Sequence, residues 1–107
     1  MGRYITTTGT ASVTLREVSS AYTAVVNDRI LATTAGGAFT ITLPLSPIEN
    51  DTIQIIDVGG VAGTYNLTIG RNGKKIQNLN EDLTININNA SVTLVFSTTY
   101  GWVIVGT

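Results

Sequence analysis

The stretch of sequence that decides the fold spans residues 36–44 and reads Gly36-Gly37-Ala38-Phe39-Thr40-Ile41-Thr42-Leu43-Pro44. Its three large apolar residues alternate with two threonines, and this period of two places the apolar side chains on one face of a β-strand. The glycines before the run and the proline after it are residues that interrupt strands. We therefore predict a half-buried strand over residues 38–43, with Phe39, Ile41 and Leu43 directed into the core.

The same alternation recurs along the chain. Strand patterns follow over residues 22–26, 52–58, 66–69, 83–87, 92–96 and 102–105, and another begins at Ile30. Residues 52–58 are partly apolar on both faces, which predicts a central strand. No window has apolar residues at helical spacing over three turns. Short strands separated by turn signals predict an all-β fold, namely an antiparallel β-sandwich or a jelly-roll-like barrel, and the spacing is too uneven for a repeat solenoid.

The length and the composition of the amino terminus suggest one domain with an arm. A chain of 107 residues is close to the commonest domain size. Residues 1–20 are rich in threonine and are interpreted as an extended N-terminal arm with one or two strand segments, and residues 21–107 as the β-sandwich or barrel domain. Two readings of the arm stay open: neighbouring subunits order it, or it is a frayed terminus.

The composition favours a surface that packs against other protein. Only 12% of the residues are charged, against about 25% in an average domain, so the surface must consist largely of Thr, Asn, Ser and Gly. The net charge is −1, and the cations gather only within residues 71–75. Nucleic-acid binding needs a basic face, and a membrane helix needs about 20 consecutive apolar residues. We therefore expect neither nucleic acid nor a membrane as a partner.

The residue types argue against an enzyme. Without histidine or cysteine, the usual nucleophile–base pairs and thiolate metal sites are unavailable. Two carboxylate pairs remain, Glu49 with Asp51 and Glu81 with Asp82, and a pair about 5–10 Å apart can cleave a glycosidic bond. Each pair precedes a predicted strand, where acidic residues commonly cap turns. We predict no catalytic residues and no cofactor.

Two polar groups of residues are candidates for ion binding. The candidate oxygen ligands of a hard cation are Asp28, Asp51, Asp57 or Glu81, but no Asp-x-Asp-x-Asp spacing supports such a site, so we expect no metal site. Residues 72–75 read Asn-Gly-Lys-Lys, and Asn-Gly between strands predicts a type I′ hairpin, where both central residues need a positive φ. An anion site at these lysines is the alternative to a plain hairpin.

The aromatic residues also allow two interpretations. Tyr22, Tyr65, Tyr100 and Trp102 would together make a platform on which sugars stack. Alternatively, Trp102 and Phe96 fill the core and the tyrosines lie at its edge, as large aromatic side chains usually do.

Residues 21–105, about four-fifths of the chain, resemble a β module found in head-decoration and tail-fibre proteins of tailed bacteriophages. The order and spacing of six segments carry the resemblance. They are Asn27-Asp28-Arg29-Ile30-Leu31, residues 36–44 quoted above, Asp51-Thr52-Ile53-Gln54-Ile55-Ile56-Asp57, Arg71-Asn72-Gly73-Lys74-Lys75-Ile76, Glu81-Asp82-Leu83-Thr84 and Tyr100-Gly101-Trp102-Val103.

The resemblance implies a non-enzymatic virion protein that is homotrimeric. Tail fibres usually carry this module beside shaft repeats in long chains, whereas here it stands behind a short arm. The expectation is therefore a capsid decoration (cement) protein on the head surface, which stabilises the head by bridging subunits of the major capsid protein. The alternative is a tail-fibre or other tail-associated protein that contributes to binding of a host receptor or carbohydrate.

Overall fold

The computed structural model describes residues 13–107, and nine β-strands form the regular secondary structure of that range. No helix occurs within it, which confirms the all-β prediction. The strands are β1 (Thr14–Val18), β2 (Tyr22–Thr23), β3 (Asp28–Ala32), β4 (Phe39–Thr42), β5 (Thr52–Asp57), β6 (Leu67–Gly70), β7 (Leu83–Ile85), β8 (Ser91–Ser97) and β9 (Gly101–Gly106).

The strands form two mixed sheets. One has five strands in the order β1-β3-β5-β8-β9, and the other has four in the order β2-β4-β6-β7. The first six strands alternate between the sheets, and neighbours within each sheet pair in parallel. The chain thus winds three times between the sheets before β7, β8 and β9 add antiparallel pairs.

The predicted purely antiparallel order is therefore wrong for the first six strands. Alternation of apolar and polar residues reports which face of a strand is buried, and it carries no information about the direction of the neighbouring strand. The alternation between the two sheets also gives no regular repeat in the sequence, because the loops differ in length. The partners in successive parallel pairs are 14, 19, 25 and 28 residues apart. Those partners are Thr14 and Asp28, Tyr22 and Ile41, Arg29 and Gln54, and Phe39 and Leu67.

The central strands behave as their alternation predicts. In β4, Ile41 is fully buried and Phe39 packs against the core, and Leu43 directly after the strand is also fully buried. β5 is the third of five strands and buries every second residue, which confirms its predicted central position.

The inner faces of both sheets contribute to one hydrophobic core. Trp102 is fully buried, and its ring meets that of Phe96 edge-on at a centroid distance of 5.3 Å. Such an aromatic pair adds about 0.5–1.5 kcal/mol beyond the area that it buries. The interpretation that Trp102 and Phe96 fill the core is confirmed.

Part of the predicted arm belongs to a sheet. β1 lies within residues 1–20 and pairs with β3 along all five of its residues, from Thr14 opposite Asp28 to Val18 opposite Ala32. The rest of the predicted arm, residues 1–12, lies outside the described residues.

The buried carboxylate of Asp57 accepts hydrogen bonds from two of the connections that lead from one sheet to the other. This residue ends β5 and is 2% exposed. Its Oδ1 accepts a hydrogen bond from Gly60 N at 3.2 Å, and its Oδ2 accepts bonds from Ala62 N at 3.1 Å and Asn89 N at 3.0 Å. The first two donors lie in the β5–β6 connection and the third in the β7–β8 connection, so one side chain holds both.

We expect Asp57→Asn to lower the free energy of unfolding by about 2–3 kcal/mol, because an amide has one acceptor oxygen and leaves at least one buried N–H without a partner. Urea denaturation measures this change. The matched control is Asp51→Asn, which alters a carboxylate that accepts one N–H, from Ile48; it should cost less than about 1 kcal/mol. Equal losses in the two variants would contradict the role of Asp57.

Candidate functional site

The carboxylates that sequence analysis singled out for catalysis cap backbone groups. Glu49 Oε1 accepts a hydrogen bond from Thr98 N at 2.8 Å, and Asp51 Oδ2 accepts one from Ile48 N at 2.9 Å. Asp82 Oδ1 accepts a bond from Arg71 N at 2.9 Å. The exposed Glu81 lies beside Asp82 in the same connection. Asp51 thus caps its own turn, whereas Glu49 and Asp82 each bind a backbone N–H of a distant segment.

The four candidate cation ligands do not come together. Asp28 begins β3 and Asp57 ends β5, and both side chains are buried. Asp28 Oδ2 accepts bonds from Tyr22 Oη at 2.7 Å and Val25 N at 2.8 Å. Within residues 13–107, no group of three or more potential ligands from His, Cys, Asp and Glu is close enough to hold a metal ion.

The aromatic residues do not form the platform that was considered. Trp102 is fully buried, whereas Tyr65 and Tyr100 are largely exposed. The hydroxyl group of Tyr22 is tied to Asp28. Partial burial of Tyr22, and then its hydrogen bond to the Asp28 carboxylate, raise the pKa of this hydroxyl above its ordinary value of 10.0.

The Asn-Gly pair forms the predicted tight turn but not a hairpin. Asn72 and Gly73 have φ values of 51° and 85°, and Lys74 N donates to Arg71 O at 3.1 Å. However, β6 ends before this turn and its partner β7 begins only at Leu83. The turn is one part of the 71–82 connection, because a local turn signal does not determine which strands pair.

An open groove of about 400 Å³ lies beside this turn. Lys74 and Lys75 line it together with polar residues from two other places in the chain, Asn80 and the pair Thr98 and Thr99. Apolar groups of Pro47 and Phe96 also line it. We call this feature the lysine groove. Sequence analysis found its lysines but missed Asn80, Thr98 and Thr99, since nothing local indicates that these loops meet.

Backbone hydrogen bonds fix the two walls of the lysine groove against each other. Trp102 N donates to Lys75 O and Gln77 N donates to Trp102 O, both at 2.7 Å, and Asn78 N donates to Tyr100 O at 3.0 Å. The groove is therefore built into the fold and does not depend on the position of flexible side chains alone.

Gly101 permits this close approach of the two walls. Its φ is +82°, and a Cβ atom at this position would overlap Lys75 O. Gly73 has a similar φ of +85°, but a Cβ atom there would meet nothing within 4 Å. Substitution of each glycine by alanine therefore distinguishes two free-energy costs. Both substitutions place a side chain at a positive φ, but only the one at Gly101 also creates a steric overlap with Lys75 O.

We expect Gly101→Ala to lower the free energy of unfolding by about 3–4 kcal/mol, because it combines an unfavourable φ with a steric overlap. Gly73→Ala is the matched control and should lower the free energy of unfolding by only about 1–2 kcal/mol, the cost of holding an alanine in the left-handed backbone conformation. Urea denaturation of both variants measures the difference. Similar losses would show that the close contact at Gly101 is unimportant.

The positive charges of the lysine groove have no carboxylate partners in the described part of the chain. The ion pair found there joins Arg16 Nε to Asp28 Oδ1 at 3.4 Å, remote from the groove lining. The guanidinium group of Arg71 donates to Lys74 O at 3.2 Å and so braces the turn. The lining thus combines two lysines with neutral polar residues, and the Glu49 carboxylate lies next to it on Thr98 N.

A second candidate surface is the outer edge of β1, the first strand of the five-stranded sheet. Two backbone groups of β1 bond to residues that flank β3. Thr14 N donates to Asn27 O, and Val18 O accepts a bond from Thr33 N. Since the backbone groups of alternate residues point the same way, those of Leu15 and Glu17 face the open edge. The Leu15 side chain is 57% exposed. Among residues 13–107, no strand pairs with these groups of β1, and an edge of this kind is a feature that proteins use for strand addition.

A third candidate surface is an apolar groove of about 240 Å³ between β7 of one sheet and β8 and β9 of the other. Leu83 and Ile85 of β7 line it, together with Val92 of β8 and Ile104 of β9. Ile87 also lines the groove and is 69% exposed. Exposed apolar surface of this kind is typical of association sites.

No protein-family model matches the chain, and no curated protein matches its sequence. Within residues 13–107, no helix is long and apolar enough to cross a membrane. The three surfaces described above are therefore the basis for a functional proposal.

The contact between Glu49 and Thr98 predicts a pH-dependent link between the two loops. The hydrogen bond from Thr98 N lowers the pKa of Glu49 below its ordinary value of 4.5. A lowered pKa in the folded state means that this contact stabilises the fold fully above pH 4.5, and that the stabilisation is lost as the pH falls through the lowered pKa.

We expect the Thr98 amide proton resonance to shift with a midpoint below pH 4.5, the ordinary pKa, as the Glu49 carboxylate takes up its proton. NMR titration measures this. In Glu49→Gln the side-chain oxygen still accepts the bond but does not titrate, so the shift should disappear. A midpoint at or above the ordinary pKa, or an unchanged titration in the variant, would contradict the assignment.

Proposed function

We propose that the protein is a non-enzymatic structural component of a tailed-bacteriophage virion, and specifically a homotrimeric capsid decoration (cement) protein. On the head surface it would bridge major capsid subunits, with the two packed sheets as a sandwich-like body and the amino terminus as an arm. The observation that carries the proposal is the β1 edge, which has no second strand partner within residues 13–107 and carries the exposed side chain of Leu15.

The β1 edge supports a role in assembly. A strand from a neighbouring protein can pair with the open groups of Leu15 and Glu17, and such pairing obtains its affinity from main-chain hydrogen bonds. The low charge content of 12% supports the same role, because close contact then removes few charges from water.

The apolar groove supports a homotrimer. A single small domain gains stability when association buries its exposed apolar surface, and Ile87 offers such surface. The number of copies follows from the resemblance to the phage module, which implies three.

Absence of catalysis is part of the same proposal. Glu49, Asp51 and Asp82 each accept a backbone N–H, which gives these carboxylates a role in holding turns and loops.

A second candidate function is that of a tail-fibre or other tail-associated protein that contributes to receptor or carbohydrate binding. The lysine groove favours it, because it is concave and its walls are held by backbone hydrogen bonds, and ligand sites are usually concave and largely preformed.

Electron microscopy of phage particles that carry this protein tests the two candidates. With gold-labelled antibody against the protein, we expect labels over the head, and image averaging should place density at three-fold positions. Labels confined to the tail would contradict the decoration proposal and support the second candidate.

We expect a variant lacking residues 2–12 to remain a folded trimer but to lose binding to undecorated heads of the same phage. The deletion ends before β1, so the sheet pairing of Thr14–Val18 is kept. Light scattering measures the trimer, and sedimentation with heads measures binding. A deletion of residues 2–18 removes β1 and serves as the comparison that damages the fold. Full occupancy by the shorter deletion would contradict a gripping role for the arm.

A further inference from the structure

The lysine groove contains two positive charges that attract an anion. Lys74 and Lys75 are consecutive, exposed and lack an ion-pair partner among residues 13–107. Two neighbouring ammonium groups repel each other, and a bound anion replaces this repulsion with attraction. Lysine is also a common ligand of carboxylate and phosphate groups, to which it makes charge-assisted hydrogen bonds.

The remaining lining fits a ligand with many hydroxyl groups. Asn80, Thr98 and Thr99 also line the groove, and side chains of these types both donate and accept hydrogen bonds. Pro47 adds apolar surface, and the mostly buried Phe96 adds a small part. A sugar ring has the matching properties, because it carries hydroxyl groups at its rim and C–H groups on its faces.

The size of the groove excludes a simple inorganic anion as its full occupant. Small-molecule sites measure about 300–1,000 Å³, and the lysine groove at about 400 Å³ falls within this range. Its walls are fixed by the backbone bonds between Lys75, Gln77 and Trp102. A ligand therefore meets a preformed site, which lowers the entropic cost of binding.

We propose that the lysine groove binds an acidic saccharide, a sugar that carries a carboxylate or phosphate group. The anionic group pairs with Lys74 and Lys75, and the sugar hydroxyls bond to Asn80, Thr98 and Thr99. This activity goes beyond the decoration role and rests on the second candidate function, for which it names the class of ligand; antibody labelling of particles tests the position of the protein separately from sugar binding.

NMR titration of the full-length, ¹⁵N-labelled protein tests the proposal. The probes are glucuronate, glucose 6-phosphate, uncharged glucose and inorganic phosphate, all at one fixed ionic strength. We expect the two acidic sugars to shift amide resonances of the groove residues, chiefly those of Lys74, Lys75, Asn80 and Thr98. Glucose should bind at least about tenfold more weakly, since it lacks the charge-assisted bonds.

Single substitutions locate the site. Lys74→Gln and Lys75→Gln should each weaken binding of glucuronate by about tenfold. The matched control is Arg29→Gln, which removes one positive charge from β3, where Arg29 bonds to Gln54 outside the groove; its affinity should equal that of the unmodified protein. Asn80→Ala should weaken the binding of glucose 6-phosphate more than the binding of inorganic phosphate, because it removes a contact to the sugar.

Four results would overturn the proposal. They are no shifts with either acidic sugar, equal affinity for glucose and glucuronate, equal affinity for inorganic phosphate and glucose 6-phosphate, and an equal loss in Arg29→Gln and the lysine variants. The circular dichroism spectrum of each variant shows that its fold is kept, so a loss of binding can be assigned to the groove.

Discussion

The three hydrogen bonds that the buried carboxylate of Asp57 accepts are the interaction on which the two-sheet arrangement depends. A chain that moves repeatedly between two sheets leaves backbone N–H groups in each crossing without a strand partner, and buried N–H groups need one. Asp57 supplies it for two crossings at once. Asp28 has the corresponding role at the start of β3, where it accepts bonds from Val25 N and the Tyr22 hydroxyl.

This construction places the candidate functions in connections and at edges. The strand interiors are filled by a shared core around Trp102, whereas the lysine groove is made where the 71–82 connection meets the turn before β9. Rigid sheets that hold loops in fixed positions are a common basis for binding sites. Association through the β1 edge and ligand binding in the lysine groove use separate surfaces, and both are compatible with one fold.

Much of the fold was predictable because burial leaves a local pattern. The alternation around Ile41 and the two-faced apolar pattern of β5 identified the inner faces and the central strand, and the Asn72-Gly73 pair identified a turn with two positive φ values. The predicted antiparallel order was wrong for β1 to β6, and the predicted hairpin was wrong for the 71–82 connection, because both features depend on pairing between distant segments.

The sequence by itself determined that this is an all-β protein, which residues face the core, and that few charges cover its surface, since each of these properties follows from the residue types and their period of two. Only the tertiary structure decided that the first six strands pair in parallel and that Lys74 and Lys75 meet Thr98 and Thr99 in one groove. The physical reason is that strand pairing and groove assembly depend on how loops of unequal length return the chain, and no local pattern records that path.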